Sequence, residues 1–338
     1  MDSKLLPQRH PQRELFLCDL GDVVLKDDLG SMEHPIFSLS KRPDTQVRVY
    51  KNGDKWLEVV PSVEGLATIW DKDVLIFAVS QLMAAKKQGR EITRHLQFSS
   101  KDFLVFSNRA TGGGDYKKLQ AALDRLAGTR MRTNVETNGI GERQGSGLIE
   151  GYRISYSTQS GRVLQWELTL SEWLFRAVEA NEVLTLHHDY FRLKSSLERR
   201  VYEIARKHCG SQAVWKIRLS LLRKKSGSQS PERNFRIAIQ RIVDDGTLPD
   251  YDLYIEGDQV IFENRAAVAR LQKSAAETAG VRLDPDVYHD ARQVAPGWDI
   301  HALEQEWRDW MTMGDLEAPK HPEKAFLGFC RKWVERHG

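Results

Sequence analysis

Cysteine is scarce: Cys18, Cys209 and Cys330 are the only three in 338 residues. They are odd in number and far apart, which excludes a disulfide framework and the paired spacing of a zinc site. Such usage suits a reducing, cytoplasmic compartment. No apolar run approaches the roughly eighteen residues of a membrane span. The first residues, MDSKLLPQRHPQREL, lack the continuous apolar stretch of a secretory signal. Enzyme signatures are missing too. There is no G-x-x-x-x-G-K-[ST] loop, no G-x-S-x-G elbow and no H-E-x-x-H pair. His187 and His188 are adjacent, whereas a rolling-circle nuclease needs two histidines flanking one apolar residue. They read as a polar strand end or a phosphate contact. No acidic cluster has metal-site spacing. The expectation is a binding protein with no enzyme activity, no cofactor and no metal.

Positive charge is abundant, and it is gathered in one place. Between Leu186 and Ile242 stand 14 Lys and Arg against 4 Asp and Glu, a local charge of +10 in a chain of +3. Concentrated basic charge is the footprint of a phosphate-binding surface, and equally of a solvated basic face. Periodicity adds detail. Leu193, Leu197, Val201 and Ile204 share one helix face, while Arg192, Arg199 and Arg206 share another, with Arg200 and Lys207 beside them. Cys209-Gly210 ends this helix. Ala213–Leu219 reads as a short strand and Leu221–Lys225 as a short helix. Residues 226–230, Ser-Gly-Ser-Gln-Ser, form a turn. Ser230 caps a further helix with Pro231 at its first position. Its buried face is Phe235, Ala238, Ile239, Ile242 and Val243; its outer face is Arg233, Arg236, Ile237, Gln240 and Arg241. Asp244-Asp245-Gly246 stops it. Two strands, Tyr251–Glu256 and Gln259–Glu263, flank the turn Gly257-Asp258.

A short helix, a glycine turn and an arginine-bearing helix make a helix-turn-helix, and the trailing hairpin makes it winged. Ile237 on the outer face suits contact with a thymine methyl, beside Arg and Gln that read base edges. The alternative is a helix phase one residue off, with Ile237 in the core.

Earlier in the chain, Val47–Tyr50 and Trp56–Val60 form a hairpin around Asn52-Gly53. Leu66–Lys87 is a helix, apolar nearly all round from Val74 to Val79 and therefore buried. Arg94–Phe98 is a strand, and Ser99 or Ser100 caps a helix to Phe106. Gly112-Gly113-Gly114 opens a helix whose start gathers Arg109, Lys117 and Lys118, a phosphate cradle or an ordinary surface loop. Lys117, Lys118 and Arg125 face outward. Arg130–Thr137, Leu148–Ser157 and Arg162–Leu170 are strands, the first two joined by a glycine-rich wing at 138–147. The order of this half repeats after residue 186, so the chain reads as two divergent copies of one winged unit. Ser171–Glu179 bridges them.

Several segments resemble the replication initiator protein A family of plasmid-encoded initiators. They are HPIFSL at 34–39, TGGGDYKKL at 111–119 with Gly128-Thr129, FRLK at 191–194, LERR at 197–200, YEIARKHCG at 202–210 and LPDY at 248–251. Residues 34–265 carry the resemblance, and PGWD at 296–299 and AFLGF at 325–329 add to it. It implies an α+β protein of two tandem winged helix-turn-helix domains with a C-terminal helical extension. The expected segments are a flexible arm at 1–34, a first winged domain at 35–180 and a second at 181–265, then the extension at 266–338. The family picture gives dimerisation and backbone contacts to the first domain and base reading to the second. Its partners are double-stranded DNA repeats (iterons) at a plasmid origin, a second copy of the chain, and host proteins, with the initiator ATPase and the replicative helicase as candidates. Copy control of the plasmid belongs to the same picture.

On this reading Arg233, Arg236, Ile237, Gln240 and Arg241 contact bases. Arg109, Lys117, Lys118, Arg192, Lys194, Arg199, Arg200, Arg223, Lys224, Lys225, Ser226 and Ser228 contact phosphates. A transcriptional repressor, including one acting on its own gene, shares the fold; a nicking enzyme is the poor third. After Arg265, Ala266–Ala279 is helical and Pro285–Pro296 reads as a linker. Two amphipathic helices follow, lined by Leu303, Trp307, Trp310 and Met311 and by Phe326, Phe329, Cys330 and Trp333. They form either a hairpin packed on the second winged domain or a docking surface for a partner such as the host helicase.

Overall fold

The computed structural model describes residues 4–10, 15–18, 35–52, 55–133, 136–137, 140–141, 144–160, 163–279, 281–314, 316 and 318–337. The chain divides into two compact units, residues 1–210 with 216–262, and residues 211–215 with 263–338.

The larger unit begins with residues that lack sequence periodicity yet are held in place. Lys4 Nζ donates to Asp244 O, Leu6 and Arg192 exchange hydrogen bonds, and Arg9 N–H donates to Asn108 Oδ1. Strand β1 (Leu15–Cys18) pairs with a strand at Val183–Leu186. An arm was expected here because backbone hydrogen bonds leave no periodic trace in side-chain pattern. Strands β2 (Arg48–Asn52) and β3 (Lys55–Val60) form the expected hairpin; its turn, 53–54, lies outside the described residues.

Helix α1 (Lys72–Lys87) starts later than expected, since Leu66–Asp71 is irregular. Strand β4 (His95–Phe98) and helix α2 (Ser100–Phe106) follow, the latter capped by Ser99 Oγ. Phe77 on α1 meets Phe98, Phe103 and Phe106 edge-on at 5.1–5.8 Å, which closes this core. Next come helix α3 (Gly113–Gly128) and the short strands β5 (Arg130–Thr133), β6 (Glu136–Thr137), β7 (Ile140–Gly141) and β8 (Gln144–Gly147). Strands β9 (Ile149–Tyr156) and β10 (Val163–Leu170) form the hairpin after α3.

One expectation changes here. Arg130–Thr133 does not form the wing with Leu148–Ser157. It leaves for a separate sheet of order β2-β3-β5-β8, because burying Met131 between Leu57 and Val59 removes all three from water. The hairpin β9–β10 follows instead, in a sheet with β4; the expected wing at 138–147 lies partly outside the described residues.

Helix α4 (Glu172–Glu179) bridges to β11 (Val183–Leu186), and a 3-10 turn covers His188–Arg192. Helix α5 (Ser196–His208) carries a full capping box between Ser195 and Glu198. Strand β12 (Val214–Arg218), helix α6 (Leu219–Ser226) and helix α7 (Glu232–Asp245) follow, then strands β13 (Tyr251–Glu256) and β14 (Gln259–Asn264). Gly227 and Gly246 end the two helices at φ 77° and 58°, where a side chain is strained. Pro231 precedes α7 as its cap position, one residue later than the Ser230 expected.

The two halves share one order: helix, strand, helix, helix, strand, strand. Their three-stranded sheets match as well, β4-β10-β9 and β12-β14-β13, each with the last strand at the centre.

The smaller unit contains α8 (Arg265–Ala279), α9 (Asp286–Val294), α10 (Ile300–Met313) and α11 (Pro322–His337). Helix α9 replaces the expected linker, since Pro285 stands at its start, where a missing N–H costs nothing. Val287, Ala291, Leu303, Trp307, Met311, Phe326 and Cys330 bury against one another. The aromatic stripe therefore closes a core of its own, apart from Trp310, which is 54% exposed. No helix among the described residues is long and apolar enough to cross a membrane.

Candidate nucleic-acid interface

Helix α7 has the phase expected of it. Phe235, Ile239 and Ile242 are buried, while Arg233, Arg236, Gln240 and Arg241 are exposed. Ile237 is 44% exposed, which removes the alternative of a one-residue phase error. The face is partly pre-set. Arg236 Nη2 donates to Gly257 O in the β13–β14 turn at 2.7 Å, and Gln240 Nε2 donates to Asp244 Oδ1 at 2.8 Å. Both are single surface hydrogen bonds, weak enough in water to be exchanged for base edges.

The turn before α7 is built from α6. Lys224 is exposed, and Ser228 is half-buried. Arg223 Nη1 donates to Ser230 O at 2.9 Å, which ties the end of α6 to the start of α7. Lys225 and Ser226 are buried and do not face the solvent. They were expected on the phosphate side; Ser226 instead donates to Arg223 O and Lys225 O accepts from Arg200.

The larger correction concerns α5. Arg199 and Arg200 were expected to hold phosphates, and both are buried. Arg199 Nη1 pairs with Asp73 Oδ1 at 2.6 Å, and its guanidinium lies 4.0 Å over the Trp70 ring. Arg109 Nη2 takes the other oxygen of Asp73 at 2.7 Å and also donates to Trp70 O, so it is no phosphate cradle either. Glu203 Oε2 receives Lys72 Nζ at 2.8 Å and Arg200 Nη1 at 3.3 Å; Tyr190 donates to its other oxygen. Burial alone would raise the Glu203 carboxyl, but Lys72 and Arg200 outweigh it and hold it below the ordinary value. Burial, with the Glu203 charge beside it, pushes the Tyr190 hydroxyl well up. This network joins α1 to α5, which binds the two halves together. A signal existed for it. Asp71, Lys72 and Asp73 open a helix that is apolar all round, so they are buried with it and demand charged partners.

The other expected phosphate residues divide. Lys117 and Lys118 are exposed on α3, with Lys118 Nζ 3.0 Å from Asp115. Arg125, expected outward, forms a two-pronged pair with Asp71. On α3, Asp124 accepts from Tyr152, whose hydroxyl is pushed up to about 12 by burial and by that carboxylate. Lys194 is exposed. Arg192 pairs with Asp189 at 2.7 Å and donates to Leu6 O. The structure thus gathers Arg223, Lys224 and Ser228 with the α7 face, and leaves Lys117 and Lys118 to the first half.

Among the described residues, His187, His188 and Asp189 place metal-capable atoms within 4.8 Å of one another. Those atoms are engaged. His187 Nδ1 accepts from Asp189 N–H at 3.1 Å, Asp189 Oδ1 pairs with Arg192, and the two rings lie against each other at 3.9 Å. His187 follows β11 directly, as a polar strand end.

Comparison with known proteins agrees with this architecture. A protein of Wigglesworthia glossinidia brevipalpis that carries a replication-protein name is 36% identical over 248 residues, 71% of this chain and 89% of that protein. The crystal structure of domains 2 and 3 of RctB aligns with a TM-score of 0.51 at 14% identity, over 69% of this chain and 96% of that one. At that identity the likeness is one of fold. Residues 26–253 match the family described as Replication initiator protein A. With two thirds of its length matched and a relative 36% identical over 71% of it, the chain belongs to the replication initiator protein A family.

Proposed function

We propose that the chain initiates replication of a plasmid by gripping repeated double-stranded sites at its origin through two winged helix-turn-helix units. Helix α7 enters the major groove and reads bases with Arg236, Ile237 and Gln240, flanked by Arg233 and Arg241. Arg223, Lys224 and Ser228 hold the sugar-phosphate chain where α6 crosses it, and Lys117, Lys118 and Lys194 add backbone contacts. The observation that carries this reading is the outer face of α7, where an exposed isoleucine stands among arginines and a glutamine, with no buried role for any of them.

The protein acts by binding and has no catalytic step of its own. Its β2 edge, with Val49 about half exposed, suits pairing with a second copy, and host replication proteins are the further partners. A repressor would use the same interface. The test is affinity for direct repeats of about 20 base pairs beside the gene, followed by replication of a plasmid deleted for its own initiator. Binding to the repeats no tighter than to random DNA overturns the interface. Tight binding without rescue of replication leaves a repressor.

A further inference from the structure

The end of α7 carries charges that its own sequence does not balance. A helix C-terminus is the negative end of the dipole, where a cation is favourable. The last turn of α7 instead holds Asp244 and Asp245 and no basic residue. The missing cation comes from far back in the chain. Lys4 Nζ donates to Asp244 O at 2.6 Å and lies 3.7 Å from Asp245 Oδ1. Residues 4–10 form a strap that delivers it. Asn108 Oδ1 accepts from Arg9 N–H at 2.7 Å, and Asn108 Nδ2 donates to Pro7 O at 3.1 Å. One side-chain amide thus grips the strap on both sides of Gln8. Leu6 N–H donates to Arg192 O at 2.8 Å, and Arg192 Nε donates to Leu6 O at 2.7 Å. These bonds use main-chain groups of the strap, so they fix its course whatever its side chains are. Lys4 is the side chain they bring to α7.

The same end of α7 holds Gln240 back. Gln240 Nε2 donates to Asp244 Oδ1 at 2.8 Å, and must leave that carboxylate to reach a base. A charged acceptor makes a stronger hydrogen bond, so an uncompensated carboxylate keeps the glutamine more tightly. An ammonium beside it weakens that hold, and has three donors to offer when the glutamine departs. We propose that Lys4 is a positioning residue for base reading: the strap sets its ammonium at the end of α7, where it lowers the cost of freeing Gln240. Lys4 acts through Asp244 and touches no DNA. This rests on the reading of α7 as the base-reading helix.

The experiment measures affinity for one repeat and one scrambled duplex over a salt series, in the full chain and in Lys4→Ala, Lys4→Arg and Asn108→Gly. The Lys4 side chain is 53% exposed, so its loss takes nothing from the core. Asn108 has φ 55°, which glycine adopts freely, so Asn108→Gly unhooks the strap and keeps the backbone. Lys4→Ala is expected to lower the ratio of repeat to scrambled affinity about two- to fivefold, the size of one exposed cation at a helix end. The salt slope stays the same, because no phosphate contact is lost. Lys4→Arg restores the ratio, and Asn108→Gly lowers it as Lys4→Ala does. In a Gln240→Ala background, Lys4→Ala changes the ratio no further. An unchanged ratio in Lys4→Ala overturns the proposal, and so does its full effect persisting without Gln240. A slope shallower by about 0.9, with both duplexes weakened alike, overturns it too and makes Lys4 a phosphate contact. Each of these results spares α7 as long as the unaltered chain prefers its repeat. No such preference in the unaltered chain removes both readings.

Discussion

Helices α5 and α7 look alike as sequences and differ as structures. Both are amphipathic, both carry arginines at helical spacing, and both sit in the same basic stretch. Arg199 and Arg200 on α5 are buried against Asp73 and Glu203, whereas Arg233, Arg236 and Arg241 on α7 are exposed. For Arg199 the difference lies more than a hundred residues away, in the carboxylate of Asp73 on α1; for Arg200 it lies in Glu203 on α5 itself, which also receives Lys72 of α1. Local net charge counts cations; it does not reveal which of them a remote helix will neutralise. An arginine stripe beside an aromatic-rich core has two fates, and the counter-charges decide between them.

The largest test of the contrast is stability. Arg199→Ala leaves Asp73 buried with half its pairing gone, and breaking a buried pair from one side costs about 3–5 kcal/mol. Unfolding in urea should show that loss. Arg236→Ala removes one surface hydrogen bond and should change the midpoint by no more than about 0.5 kcal/mol. Equal effects of the two would mean that α5 and α7 are not the opposites described here.

Acid should act on α5 and spare α7. The Glu203 carboxyl is lowered in the folded state, because the pull of Lys72 and Arg200 outweighs the cost of burial. Its contribution is therefore complete above the ordinary glutamate range, and is lost as pH falls below about 4 toward the lowered folded value. The unfolding midpoint should be level from pH 7 to 5 and fall below that. Glu203→Gln should be less stable at pH 7, with Lys72 and Arg200 left short of a partner, and should lose part of the acid slope. An acid slope identical to that of the unaltered chain would detach Glu203 from the network.

The second half of the larger unit was more legible in the sequence than the first. Phe235, Ile239 and Ile242 repeat at helical spacing, Gly246 stops the helix, and Gly257-Asp258 makes a tight turn, so each boundary has a local cause. The first half lost its register at Arg130–Thr133, because a four-residue strand can pair with either neighbour. Its choice of β3 depends on burying Met131 with Leu57 and Val59, which are seventy residues distant. Strand β1 and the hydrogen bonds of residues 4–10 were illegible for a related reason: they are made by backbone groups and by the side chains of Lys4, Asn108 and Arg192, whose pattern has no period. In the interface, exposure at α7 followed from phase alone, while the fate of Arg109 and Arg199 required knowing where Asp73 would be, and that of Arg200 where Glu203 and Lys225 O would be.

The smallest effects separate reading from holding within the exposed set. Arg236 and Gln240 are one turn apart on the exposed face of α7, so they project together, and the proposed target of both is base edges. Arginine pairs with guanine by two hydrogen bonds and glutamine with adenine, each worth about 1–3 kcal/mol of discrimination. Arg236 is already held toward the β13–β14 turn by Gly257 O, which limits the rotamers it must give up on binding. Arg236→Ala should therefore weaken the cognate repeat about ten- to a hundredfold and leave random DNA nearly unchanged. Lys224 lies exposed at the end of α6, and the proposed contact is to phosphate, which carries no sequence. Lys224→Ala should weaken both DNAs alike, by tenfold or less at about 0.1 M salt, and make the salt slope shallower by about 0.9. Filter binding on one repeat and one scrambled duplex over a salt series measures both variants. If Arg236→Ala weakens the two DNAs in equal ratio, α7 holds backbone only, and the bases are read elsewhere.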